Sequence, residues 1–213
     1  LILRAPAGAG RAYGPTHSQS FEGLLLNVPG LVIICPSSPA DAAGLLLGAY
    51  QHQGPVIFIE HKALYARKGP VPDTLAPLPI GQAAVLREGS DLSLFCYGRQ
   101  VLPAQQAAEL LAAEGISAEI VDLRTLKPLD RKTILTSFRK TGRGISVEES
   151  PVIGGIGGEI AGLLMEHAFE YIQAPFVRLG AAEQAIPCNP TLERDCFPTA
   201  DSIAARARQL VQG

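Results

Sequence analysis

The sequence lacks the features that mark several large classes of protein. It has no run of Lys and Arg and no basic stripe interleaved with aromatics, and 18 Lys+Arg stand against 20 Asp+Glu for a net charge of -2. The electrostatic footprint of a nucleic-acid binder is therefore missing. No apolar stretch reaches the ~18 residues needed to cross a bilayer. Segments such as 157–172 are short and amphipathic, as core helices are. The cysteines, Cys35, Cys96, Cys188 and Cys196, include no C-x-x-C pair, and His167 lies well before Cys188. This sets zinc aside and reads as unpaired thiols. No G-x-S-x-G occurs and Ser18 and Ser20 have no predictable base, so a nucleophilic triad is unsupported. There is no internal repeat or low-complexity segment.

What is present is apolar and periodic. Over 213 residues, 47% are hydrophobic, enough for one large domain or two modest ones. Leu31–Cys35, Val56–Ile59, Leu92–Tyr97, Ala118–Leu123, Gly144–Val147 and Phe176–Leu179 are continuous branched runs, as in strands buried on both faces. Between them, Ser18–Asn27, Ala40–Tyr50, Leu102–Glu114, Arg131–Lys140, Gly157–Ile172 and Ala200–Gln212 carry helical patterns. The alternation predicts an α/β fold with a largely parallel sheet. Asp130 and Gly142 bracket one helix, while Pro39 opens another and Gly115 closes a third. Residues 66–79 hold Pro70, Pro72, Pro77 and Pro79 without helical or strand period, and read as a semi-rigid linker. Residues 1–78 then form an incomplete first unit, and 80–213 a complete second one. The chain opens Leu1-Ile2-Leu3-Arg4 in a strand-like run without an initiator Met, so upstream sequence is expected.

The densest polar cluster is Gly14-Pro15-Thr16-His17-Ser18-Gln19-Ser20, after the glycine loop Ala7-Gly8-Ala9-Gly10. Thr16 and Gln19 have capping-box spacing, which predicts His17 as the first residue of a helix. The positive end of that helix would favour neutral imidazole, which both accepts and donates a proton and suits acid–base chemistry. The same residues also read as a helix cap whose histidine only hydrogen-bonds a neighbouring loop. Gly154-Gly155-Ile156-Gly157-Gly158 invites a dinucleotide reading, but the third glycine would fall on Ile160. Tight strand-to-helix packing is the expectation there. Glu148-Glu149, at a strand end of the kind that faces clefts, could be paired acids, but the leading reading is a solvated or subunit-contacting pair; Asp122, Arg124 and Asp130 read as turn and capping residues. His52, His61 and His167 are isolated and are assigned no chemistry.

Arg4-Ala5-Pro6-Ala7-Gly8-Ala9-Gly10, Thr16-His17-Ser18-Gln19-Ser20, Pro29-Gly30-Leu31, Pro36-Ser37 and Pro55-Val56-Ile57-Phe58-Ile59-Glu60 have a familiar combined order. So do Asp122-Leu123-Arg124-x-Leu126-x-Pro128-Leu129-Asp130, Lys140-Thr141-Gly142-Arg143 and Val147-Glu148-Glu149. Together they resemble beta subunits of the thiamine-diphosphate-dependent component of 2-oxo acid dehydrogenases, which act on pyruvate, branched-chain 2-oxo acids or acetoin. The resemblance implies the C-terminal part of a pyrimidine-binding domain followed by a transketolase C-terminal domain. It also implies oxidative decarboxylation of a 2-oxo acid, most simply pyruvate, with acyl transfer to lipoyl on an acyltransferase component. His17 matches the family's active-site histidine.

The family's catalytic glutamate corresponds to sequence upstream of Leu1, and its Gly-Asp-Gly motif belongs to the alpha subunit. Thiamine diphosphate and magnesium are thus implied at an interface to which this chain gives one wall and no cofactor-binding residue of its own. The implied partners are an alpha subunit and a second beta subunit in a heterotetramer, without nucleic acid or membrane. Some relatives hold potassium through main-chain carbonyls; the matching positions are Ala49, Tyr50, His52 and Gly54, of which Ala49 keeps the family's residue type. The implied compartment is the cytoplasm of a bacterium, or an organelle matrix or stroma in a eukaryote. The alternatives are ketol transfer of the transketolase or deoxyxylulose-phosphate-synthase kind, and a truncated, non-catalytic assembly fragment.

Overall fold

The computed structural model describes residues 1–213 as two sheets with helices packed on and between them. The first sheet has the order β1-β3-β2-β7, formed by β1 (Ile2–Ala7), β2 (Val32–Ile34), β3 (Val56–His61) and β7 (Thr125–Lys127). Its first three strands are parallel, and β7 adds antiparallel to β2. The second sheet, ordered β4-β6-β5-β8-β9, comprises β4 (Ala84–Arg87), β5 (Leu92–Cys96), β6 (Ala118–Asp122), β8 (Gly144–Pro151) and β9 (Val177–Ala181). It is parallel except for β4. The helices are α1 (Glu22–Leu26), α2 (Pro39–Gln51), α3 (Val101–Ala113), α4 (Arg131–Thr141), α5 (Ile156–His167), α6 (Pro190–Arg194) and α7 (Ala200–Gln212).

Local chemistry sets several ends. Ser38 caps α2 by accepting the Asp41 N–H, with Pro39 as first helical residue. Asp130 caps α4, and Gly142 ends it in the left-handed conformation. The proline-rich segment after Leu64 forms no strand or helix before β4 and lies as a strap on α2, where the Leu78 N–H donates to the Gly44 carbonyl at 2.9 Å. A Cβ at Gly48 would stand 2.2 Å from the Leu78 carbonyl oxygen, so small residues one turn apart on α2 make the bed for the strap.

The two sheets share a core. Ala7, Ile33 and Ile59 of the first pack in one buried cluster with Phe95 and Val121 of the second, and with Phe138 of α4 and Ile160 of α5. A second cluster joins β5, β6 and β8 to α3 and α7. Strand β7 comes from the second half of the chain yet completes the first sheet, a link that three residues between Arg124 and Pro128 do not announce.

Two helix boundaries differ from expectation. The predicted helix Ser18–Asn27 shortens to Glu22–Leu26, and no side chain caps it. The Thr16–Gln19 capping box does not form, and the adjacent Ser18 and Ser20 hydroxyls donate to carboxylates from the far half of the chain. Tertiary hydrogen bonding stands here in place of local capping. The predicted helix Gly157–Ile172 breaks at Ala168, which is fully buried, and resumes as a single 3-10 turn, Phe169–Tyr171.

Candidate active site

The loop between β1 and α1 carries His17. It leaves the carboxyl end of β1, the edge at which ligands meet parallel α/β sheets. His17 sits in a turn closed by Ser18 N–H donating to the Gly14 carbonyl at 3.0 Å. The expected placement at a helix start is thus corrected, and with it the argument from the helix's positive end. Its ring is exposed beside a hollow of about 450 Å³ lined by Pro6, Tyr13, Thr16, Gln19, Phe21 and Lys62. The Lys62 ammonium donates to the His17 carbonyl oxygen and lies 5.5 Å from the centroid of the Tyr13 ring.

Beneath the loop is a buried acid–base cluster. Glu149, at the end of β8, is only 4% exposed. It accepts from the Ala9 N–H at 2.7 Å and from the Ser20 hydroxyl at 3.3 Å. His61 Nε2 lies 2.9 Å from each of its oxygens, and Arg99 Nη1 lies 3.6 Å away. His61 Nδ1 accepts the Ala63 N–H, so Nε2 is the nitrogen that donates to Glu149. Burial pushes the Glu149 carboxyl up, but the hydrogen bond and field of His61, the Ala9 N–H and Arg99 outweigh it and hold it below the ordinary range.

Its neighbours behave oppositely. Burial raises the Glu22 carboxyl against the hydrogen bond from the Tyr97 hydroxyl, and Glu22 Oε2 has no protein partner. Burial lifts Glu148 to about 7, although it accepts from the Ile156 and Gly157 N–H groups at the start of α5. A cavity of about 20 Å³, the size of one water, is bounded by Ser20, Glu22, His61, Tyr97, Arg99 and Glu149.

The reading of Glu148 and Glu149 as solvated or subunit-contacting acids is therefore overturned: both are interior groups paired within the chain. His61, assigned no chemistry from the sequence, is the buried partner of Glu149. Asp122 is likewise interior, accepting from the Ser37 hydroxyl and the Arg124 N–H, and burial raises it to about 7. The glycine cluster does pack strand against helix, since a Cβ on Gly155 or Gly157 would meet Glu148 Oε2 at 2.4 Å or Ser146 Oγ at 2.2 Å.

Glu193 is a functional candidate that the sequence reading missed. It belongs to α6 and is 3% exposed. Its Oε2 accepts the Ala12 N–H at 2.8 Å and its Oε1 the Ser18 hydroxyl at 3.2 Å. No local pattern marks it; only the fold brings it 175 positions back to Ser18.

Ala49, Tyr50, His52 and Gly54 gather elsewhere, where α2 ends and β3 begins, at the amino edge of the sheet. The Ala49 carbonyl accepts the His52 N–H at 3.1 Å. A separate cavity of about 350 Å³, lined by Arg4, Ser37, Ser38, Leu46, Phe58 and Tyr65 among others, opens near the start of α2 and does not include His17. All four cysteines are free thiols, and no helix is long and apolar enough to cross a membrane.

Residues 1–68 match the transketolase pyrimidine binding domain, and residues 81–203 the transketolase C-terminal domain. The chain is 42% identical to the beta subunit of acetoin:2,6-dichlorophenolindophenol oxidoreductase of Cupriavidus necator, covering 100% of this chain and 63% of that one. It is 42% identical to the 2-oxoisovalerate dehydrogenase beta subunit of Bacillus subtilis, over 100% of this chain and 65% of the relative. Identity to the mitochondrial pyruvate dehydrogenase E1 component subunit beta-2 of Oryza sativa is 41%, over 98% and 57%. A solved split-gene transketolase, an inactive beta4 tetramer, superimposes with a TM-score of 0.79 at 28% identity, covering 99% of this chain and 66% of that one. The chain thus spans from 57% to 65% of these three curated relatives. With the C-terminal match extending over more than half its length, the chain belongs to the transketolase family, and its end-to-end similarity is to the beta subunits just named.

Proposed function

We propose that the chain is the larger part of a beta subunit of a thiamine-diphosphate-dependent 2-oxo acid dehydrogenase, with pyruvate as the leading substrate. The whole protein would work with an alpha subunit and a second beta subunit and pass the acyl group to lipoyl on an acyltransferase. The observation that carries the reading is His17, which matches the family's histidine motif and stands exposed at the carboxyl edge of the first sheet beside an open hollow.

The residues present do not by themselves fit the cofactor. No group of three or more His, Cys, Asp or Glu side chains is arranged to hold a metal ion. The one cation lining the hollow, Lys62, is turned to the His17 carbonyl. This chain therefore supplies one wall, and the diphosphate and magnesium belong to a site completed by other residues. What the wall contributes is His17, which lines the hollow and whose imidazole is the kind of group that moves a proton. Ketol transfer is less supported, because no cluster of Arg or Lys that would clamp a sugar phosphate lines the hollow. Potassium held by the carbonyls of Ala49, Tyr50, His52 and Gly54 is a further part of the proposal, and a potassium-dependent rise in melting temperature, absent with sodium, is its test.

Two measurements test the function. Calorimetry on the 213-residue chain is expected to show no tight binding of thiamine diphosphate with magnesium; micromolar affinity would overturn the one-wall reading. In the full-length subunit assembled with its alpha partner, His17→Ala is expected to lower lipoyl-linked turnover by at least ~100-fold. Turnover at the wild-type level would remove His17 from the chemistry.

A further inference from the structure

The two ends of the histidine loop are held by two carboxylates, and both come from the other half of the chain. Glu149 accepts from Ala9 and Ser20, near where the loop leaves β1 and enters α1. Glu193 accepts from Ala12 and Ser18, residues on either side of His17. The two loop attachments of Glu149 are accompanied by His61 and Arg99, so its removal would disturb several things at once. The two side-chain hydrogen bonds of Glu193 both go to the loop, one oxygen to each side of the histidine. Segment 186–188 adds a seat: a Cβ on Gly14, the residue that closes the His17 turn, would lie 2.4 Å from Cys188 Sγ. At φ +72° Gly14 is also in the left-handed region, which keeps the loop close against that segment.

We propose that Glu193 is a positioning residue for His17. Its carboxylate spans the loop from Ala12 to Ser18 and so fixes where the imidazole stands over the hollow. The proposal rests on the reading of His17 as the reacting histidine, and it assigns to α6 a role beyond packing. A carboxylate is suited to this clip because it is acceptor-only and can take a main-chain N–H on one oxygen and a hydroxyl on the other. Because Glu193 is nearly excluded from solvent, water is a poor substitute for either bond.

The variants are Glu193→Ala, Glu193→Gln and Ser18→Ala. Glutamine can still accept from Ala12 with its oxygen while its amide donates to Ser18, so it is the conservative rescue. On the 213-residue chain, hydrogen exchange at the Ala12 amide is expected to rise by at least ~10-fold in Glu193→Ala. Exchange in β5 and β8 should stay within ~2-fold, and the His17 ring resonances should shift or broaden. Glu193→Gln is expected to restore both readouts, and Ser18→Ala to give a partial version of the change. In the assembled enzyme, Glu193→Ala is expected to lower kcat by ~10- to 100-fold with KM within ~3-fold, as misplacement of a reacting group does.

Unchanged exchange at Ala12 with superimposable His17 resonances overturns the clip. Released exchange with wild-type kcat overturns the positioning role. If Glu193→Ala does not fold, Ser18→Ala decides, since a chain indistinguishable from wild type at His17 rejects the proposal. Released exchange together with wild-type turnover of His17→Ala leaves the clip standing and instead rejects the function proposed for the histidine.

Discussion

Glu149→Ala removes the most heavily used carboxylate in the molecule, and the consequence can be worked from its partners. The fully buried Ala9 N–H loses its acceptor, the Ser20 hydroxyl loses a partner, and His61 and Arg99 are left facing a void. A stranded buried N–H alone costs about 1–3 kcal/mol. Breaking a buried charged pair by deleting one member costs about 3–5 kcal/mol. These overlap rather than add, so the expected loss is about 3–5 kcal/mol, a large share of the roughly 5–15 kcal/mol typical of a folded domain. Glu149→Gln keeps an acceptor for Ala9 and nearly the same volume, and is expected to lose about half as much. Urea unfolding followed by circular dichroism measures the difference, provided the slope against denaturant is unchanged. A Glu149→Ala loss below about 1 kcal/mol would mean that the cluster behaves like a surface ion pair, and the reasoning about its burial would fail.

Further outcomes follow from the same interior. Gly8→Ala forces a Cβ to within 2.1 Å of His61 Nε2 at a φ of +87°, and is expected to cost roughly 3 kcal/mol or more by displacing His61 from Glu149. Gly30→Ala is the control: its φ is +78° but nothing lies within 4 Å, so only the ~1–2 kcal/mol of left-handed strain is expected; equal losses would show that His61 is not the obstacle. Glu148 and Asp122 give a pH dependence with a definite sign. Both are raised to about 7, from ordinary values of 4.5 and 3.8, so between those limits the folded chain holds protons that the unfolded chain has released. Their stabilisation is fully present below the unfolded values and is lost as pH rises towards 7, by roughly 3–4 kcal/mol each. Glu149 has the opposite shift, and its contribution is lost only as pH falls below the usual carboxylate range. Unfolding free energy is therefore expected to fall between pH 5 and pH 7, with a shallower slope in Glu148→Gln; a flat or rising profile refutes the assignment.

Much of the architecture was legible because it is written locally. Branched runs without polar alternation mark strands covered on both faces, and Asp130 and Gly142 mark α4 by cap chemistry that needs no distant partner. The failures share one cause. Thr16 and Gln19 have the spacing of a capping box, yet the loop is shaped by Glu149 and Glu193, which lie 129 positions beyond Ser20 and 175 beyond Ser18. Nothing near His17 records those partners, so local reading assigned a helix where the fold makes a clipped turn. The same blindness turns Glu148 and Glu149 outward: two consecutive acids at a strand end look solvated until the first sheet and its histidine loop close over them. His61 was equally opaque, since its chemistry depends on one carboxylate in the other half of the chain.

This pattern bears on how the site is built. The residue that matches the family's histidine lies in the first sheet's connection, but the groups that hold its main chain come from β8 and α6, in the part that matches the transketolase C-terminal domain. The shared core, in which Ala7 and Ile59 pack with Phe95 and Ile160, keeps those two parts in register. A side chain can be placed this way only if the two halves do not move independently, because the clip bonds of 2.7–3.2 Å tolerate little displacement. On the proposed role of His17, the C-terminal part would contribute to the chemistry without presenting a reacting group to the hollow. Substitutions in β8 or α6 should accordingly change turnover through His17 geometry while leaving the hollow's own lining intact.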